Sequence, residues 1–158
     1  MIDEAASDPE GHEVVRRGRV SWLTHPPAGV ARIEAESQAF GALPVSLPEG
    51  DPVPHVAAPG ELLAITHGLF MAGSLAEALV MAGSPANEIV AEASCTFSGP
   101  IADRELTAVD LQVRARVPGL DATAFDELAA SAHRRSLRAA GARDDIPGRF
   151  EAELAPSS

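Results

Sequence analysis

A long, nearly unbroken apolar run, Pro59 to Ser84, lies between stretches in which apolar and polar residues alternate. Ahead of it, Glu13 to Leu23 (EVVRRGRVSWL) alternates in its second half, HPPAG punctuates it, and Val30 to Ser37 alternates again. That pattern predicts a β-hairpin. Leu43 to Leu47 predicts a short third strand, and PEGDPVPHVAAP, rich in Pro, Gly and Asp, predicts a loop. The apolar run opens with Pro59, whose missing amide hydrogen costs nothing in a first helical turn. Glu61 follows near the positive end of the helix dipole, and the helix is predicted to stop around Gly83. In EIVAEASCTFSG, Ile89, Ala91, Ala93, Cys95 and Phe97 share one face. In LTAVDLQVRARV, Thr107, Val109, Leu111, Val113, Ala115 and Val117 do the same, so a second hairpin is expected. Asp121 suits the N-cap of a helix with Phe125, Leu128, Ala129, Ala132 and Ala139 at helical spacing, ended by Gly141. GRFEAEL supplies a closing strand. The order β-β-β-α-β-β-α-β indicates an α+β fold with mainly antiparallel pairing. Residues 13–154 form one expected domain, with an acidic disordered tail at 1–12 and a short tail at 155–158.

The apolar run is long enough to cross a bilayer. However, no Lys or Arg lies between Arg32 and Arg104, and Asp51, Glu61 and Glu88 surround the run. The positive flanks and aromatic belts of a spanning helix are missing, so a buried core helix and no membrane partner are expected. A helix apolar all round needs cover on every side, more than one short chain supplies. A homodimer with this helix near its centre is therefore predicted.

With 158 residues and 46% hydrophobic positions, the chain suits one globular domain. Its formal net charge of -11 argues against nucleic acid and anionic lipid as partners. A single cysteine, Cys95, excludes an intrachain disulfide, a four-cysteine zinc site and a CxxC redox pair. The acidic N-terminus lacks the apolar core of a signal peptide, which makes the cytoplasm the expected compartment. The histidines, at 12, 25, 55, 67 and 133, lack ligand spacing, and no glycine-rich phosphate loop follows a strand. Neither a metal nor a cofactor is expected.

Two motifs then become informative. Pro59-Gly60-Glu61-Leu62-Leu63-Ala64-Ile65-Thr66-His67-Gly68-Leu69-Phe70-Met71 resembles the P-E-E-L-L-A-A-A-H-A-A-C-F pattern of the OsmC/Ohr family of organic hydroperoxide reductases. Val117-Pro118-Gly119-Leu120-Asp121, then Phe125, then Ala132-His133-Arg134-Arg135-Ser136 resembles the family's V-P-G-L-D, F and A-x-x-x-C-P-V-S. The resemblance spans roughly Val14 to Leu154. It implies antiparallel sheets around long central helices, and an intertwined homodimer with two sites where the subunits meet. By this correspondence the peroxidatic cysteine falls on Phe70 and the resolving cysteine on Ser136. The first of the paired glutamates, which in the family helps organise the active-site arginine, falls on Gly60. Peroxide reduction needs a thiolate nucleophile and then a thiol to form the reducible disulfide, which Phe and Ser do not provide. Cys95, on the apolar face of a strand, reads as a small hydrophobe rather than a substitute.

The remaining candidates each have two readings. His67 is a packed helix histidine, or a proton-transfer and ligand-anchoring group in the old site. Glu61 is a dipole partner or a general base. The Ser136 hydroxyl faces the site, or bonds back to a carbonyl one turn earlier. Glu77 is paired or turned to an open edge, and Arg134, Arg135 and Arg138 read as a solvated helix end that complements the dipole. The leading expectation is an OsmC-like homodimer without thiol peroxidase chemistry. A pocket floored by Phe70 and flanked by Gly60, Leu69 and Met71 would bind a small apolar molecule or convert it without redox chemistry, with His67, Glu61 and Ser136 as polar handles. The alternatives are a catalytically dead structural or regulatory remnant, and a peroxiredoxin in stress defence acting through Cys95.

Overall fold

In a computed structural model the described residues are 13–22, 30–41, 43–46, 54–100 and 103–156. The N-terminal tail, the HPPAG turn and most of the PEGDPVP loop lie outside them. The elements are β1 (Gly18–Ser21), β2 (Val30–Ala35), β3 (Leu43–Ser46), α1 (Pro59–Met81), β4 (Glu88–Ser98), β5 (Glu105–Arg116), α2 (Ala122–Ala139) and β6 (Phe150–Leu154). This is the predicted order. Two three-stranded sheets result, β1-β2-β3 and β4-β5-β6.

Each helix has the local chemistry that starts and stops it. Pro59 opens α1, and the Ala58 N–H donates to Glu61 Oε2 at 2.8 Å, satisfying an otherwise orphaned amide. At its end Ser84 N–H reaches Leu79 O at 2.9 Å and Gly83 N–H reaches Val80 O at 3.0 Å. Gly83 supports this double bond with a left-handed φ of 75°. Asp121 caps α2 by accepting from Ala124 N–H at 2.9 Å.

The alternation in β4 and β5 translates into one face toward the helices and one toward solvent. Val109, Leu111, Val113 and Ala115 are buried, and they meet Met71, Leu75 and Leu79 of α1 and Phe125, Ala129 and Ala132 of α2. The outer face carries polar ladders, with Arg114 3.3 Å from Glu153 and Arg116 3.4 Å from Glu88. Two details depart from expectation. The register shifts between Thr96 and Phe97, so Phe97 pairs with Leu106 and the unpaired Thr107 bulges. Leu106, not Thr107, packs against the core, and the Thr107 hydroxyl bonds Ser98 Oγ at 2.9 Å. Secondly, β6 runs parallel to β5, with Leu111 opposite Phe150 and Ala115 opposite Leu154. The chain between them crosses over through α2, which is what a parallel pairing requires.

One face of α1 is packed and the other is not. His67, Met71, Leu75, Ala78 and Leu79 are buried, whereas Leu69 is 69% exposed and Met81 83%, with Ile65, Phe70 and Val80 also exposed. By length and composition this helix would cross a membrane, but it lies along β4 and α2. Glu77 is exposed, turned to the open side. The N-terminal sheet buries Ala31 and Val45 and is tied to the chain ahead of α1 by a parallel bridge between Val45 and Ala57.

Candidate functional site

The first half of α1 positions two sets of candidate residues on different faces. His67 and Met71, one turn apart, lie on the packed stripe. The Met71 Sδ sits 3.6 Å from Ser136 Oγ on α2, a contact between two buried side chains. The Ser136 hydroxyl donates to His133 O at 2.8 Å, back along its own helix. Arg135 adds a second tie between the helices, donating to Ser74 O at 3.1 Å. The residue brought against Ser136 is thus Met71, the neighbour of Phe70.

His67 is 1% exposed, and its Nδ1 finds no hydrogen-bond partner among the described residues. Burial without a partner favours the neutral imidazole, and the pKa of His67 is lowered by that desolvation. His133 is lowered by burial first and by the Arg134 charge second, and its ring stacks on Phe150 with centroids 4.1 Å apart. The stability consequence has a definite sign. Unfolded histidine, with a pKa of about 6.5, binds protons that the folded chain refuses. Stability is therefore full above that value and falls as pH drops from it toward the lowered folded pKa values. Thermal denaturation between pH 7.5 and pH 5 is expected to show a declining Tm. In His67→Leu the decline becomes shallower, leaving the His133 part, and the Tm at pH 7.5 is kept, because the unsatisfied nitrogen is gone. An unchanged pH slope in His67→Leu would show that His67 is not held neutral by burial.

On the other side, Ala64, Ile65, Gly68, Leu69 and Ala72 of α1 and Ala91, Glu92, Ala93 and Ser94 of β4 line an open groove of about 620 Å³. At Gly68 the helix passes close to the strand: an added Cβ would sit 3.6 Å from Ala91 O, in ordinary van der Waals contact. Glu92 and Ser94 supply polar groups on an otherwise apolar wall. Among the sequence candidates Leu69 lines this groove; Phe70, 41% exposed, stands beside it without lining it. Gly60 and Glu61 sit in the first turn of α1, with the Glu61 carboxylate committed to the Ala58 amide. The site thus separates into the packed face of α1, which carries His67 and the Met71–Ser136 contact, a groove beside Leu69, and a capped helix start. Sequence reasoning did not find the β4 wall, whose signal was the small residues Ala91 and Ala93 on the inner face. Cys95, half-buried on β4, has its thiol pKa raised by burial, which disfavours a thiolate.

No protein-family profile and no curated protein sequence matches the chain. Solved structures do. An organic hydroperoxide resistance protein from Elizabethkingia anophelis is similar with a TM-score of 0.70 at 13% identity, over 91% of this chain and 99% of that one. An OsmC-like protein from Mycoplasma pneumoniae gives 0.71 at 9% identity, over 92% and 100%. The organic hydroperoxide resistance protein OsmC from Legionella pneumophila gives 0.63 at 12% identity, over 91% and 100%. These likenesses establish the α+β fold of the OsmC/Ohr proteins for this chain.

Proposed function

We propose that this protein is a divergent OsmC/Ohr-type homodimer that has lost cysteine-based peroxide reduction. In this reading it uses the apolar space around α1, completed by a second subunit, to bind a small apolar molecule or convert it without redox chemistry. The observation that carries the proposal is the chemistry beside Ser136. A thioether, Met71 Sδ, stands there at 3.6 Å, and the one thiol in the sequence is Cys95, on another element with its pKa pushed up. A thioether neither ionises nor forms a disulfide, so the nucleophile and the resolving step are both missing. His67, a neutral imidazole able to accept or donate one hydrogen bond, lies on the packed face of α1, so the polar groups that a ligand in the groove would meet are Glu92 and Ser94. Glu61 and Ser136 contribute less, because each already serves a backbone group. The proposed compartment is the cytoplasm, where a lone thiol stays reduced.

A second reading has its own support. The Met71–Ser136 contact is filled core, which suits a structural or regulatory remnant that dimerises and binds nothing. Two measurements separate the possibilities. Cumene hydroperoxide consumption with a dithiol reductant is expected to stay at the buffer rate for the wild type and for Cys95→Ser. Turnover lost on Cys95→Ser would instead make this a one-cysteine peroxidase. Nile red, an uncharged apolar dye, is expected to bind saturably with a blue-shifted emission. Absence of saturable binding would favour the remnant.

A further inference from the structure

The end of α2 carries a feature away from the groove beside α1. From Arg134 to Arg143 the sequence reads RRSLRAAGAR, four of the chain's 12 basic residues with no acidic residue among them, in a protein of net charge -11. Arg134 and Arg138 are four residues apart and so share a helix face, where like charges repel. The chain then reverses. Gly141, at a φ of 77°, lets Ala142 N–H reach Leu137 O at 3.0 Å and its own N–H reach Arg138 O at 3.1 Å. That turn brings Arg143 back beside the helix. Arg134, Arg138 and Arg143, with Leu137, Ala142 and Asp144, line one small pocket of about 180 Å³.

The helix dipole explains one of these cations. A helix C-terminus carries about -0.5 of a charge, which Arg138 in the last turn already answers. Arg143 meets Asp145 at 3.6 Å between solvated groups. Neither the Arg134 nor the Arg138 guanidinium has a hydrogen bond or ion pair among the described residues. Two unneutralised guanidiniums thus line the same small space, with a third, paired with Asp145, alongside and one carboxylate, Asp144, in the lining. Planar guanidiniums match tetrahedral oxyanions through paired N–H donors, which ammonium groups do not. Leu137 and Ala142 add an apolar wall for whatever carries the anion.

We infer that this pocket binds a phosphate group, with Arg134, Arg138 and Arg143 as its donors and Leu137 and Ala142 against its substituent. The test uses inorganic phosphate and phenyl phosphate, followed by titration calorimetry and by amide shifts of Leu137, Ala142 and Arg143, at about 0.15 M salt. There the screening length of about 8 Å mutes the acidic bulk of the chain. Saturable binding is expected, weakened roughly tenfold or more in Arg134→Gln and in Arg138→Gln, as for loss of a charged hydrogen bond. Asp144→Asn is expected to tighten it several-fold, a gain that general damage to the fold would not produce. Tighter binding of phenyl phosphate identifies a phosphomonoester as the ligand, whereas equal binding identifies free phosphate. No saturable binding at millimolar phosphate, or binding indifferent to all three substitutions, overturns the inference.

Discussion

Replacing Gly148 with alanine is expected to lower stability by about 3 kcal/mol, the upper end of what forcing an extra carbon into filled space costs. For a chain of this length that corresponds to a Tm lower by roughly 6–12 °C. Gly148 lies where the chain leaving α2 joins β5 to start the parallel pairing. Val109 N–H donates to Pro147 O at 3.0 Å and Leu111 N–H to Arg149 O at 2.9 Å, so both neighbours of Gly148 are held to β5. A third bond, Arg149 N–H to Asp110 Oδ1 at 2.7 Å, clamps the same segment from a side chain. A Cβ on Gly148 would overlap the Val109 carbonyl oxygen, which is backbone and has nowhere to turn. Either the bonds to β5 lengthen or β6 leaves the sheet, and both expose Phe150 and Leu154, which pack against the core. Gly41→Ala is the control, because nothing lies within 4 Å of its added Cβ. It should leave Tm unchanged or slightly raised, since the unfolded chain loses freedom. Equal Tm values for the two variants would mean that β6 does not sit this closely on β5.

Nothing in the sequence announces Gly148, and the reason is general to what a pattern encodes. Alternation fixes which residues of GRFEAEL face inward but is the same for a parallel or an antiparallel neighbour. The direction of β6 follows from α2 lying between it and β5, a relation between elements rather than a local signal. The bulge at Thr107 has the same origin. A strict period of two puts Thr107 inside, and one extra residue moves Leu106 there instead. Where the chemistry is local, the residues themselves mark the boundaries: Pro59 and Glu61 start α1, Asp121 starts α2, and Gly83 and Gly141 stop them. The site was half legible. His67 is visible as an ionisable group in an apolar run, but whether its nitrogen has a partner depends on what α2 and the sheet bring to it. Likewise, the resemblance to the OsmC/Ohr motifs implies Phe70 opposite Ser136. One residue is about 100° of helix rotation, enough to put Met71 there and to leave Phe70 on the open side.

That open side carries the other large expected effect. In Ile65→Glu/Leu69→Glu the proposed dimer should fall apart, with a dissociation constant raised at least a thousandfold and a sedimentation mass near 16.4 kDa instead of about twice that. Ile65 and Leu69 are one turn apart and more than half exposed in the single chain, on a face where Phe70, Val80 and Met81 are also uncovered. Burying a large aliphatic side chain contributes about 1.5–3 kcal/mol, so water is a poor neighbour for a stripe of this length. The N-terminal sheet points the same way: among its described residues Ala31 and Val45 are buried, while Val20, Leu43 and Phe40 beyond it stand exposed. A second copy would cover both surfaces at once. In a two-fold arrangement each substitution occurs twice, so the variant would bury four unpaired carboxylates, at several kcal/mol each. The folded chain itself has no reason to suffer, because neither position is buried within it. Circular dichroism should accordingly report unchanged helix content in the monomeric variant. A monomeric wild type would remove the second subunit from the proposed site, and an undiminished dimer in the variant would move the interface off this face of α1.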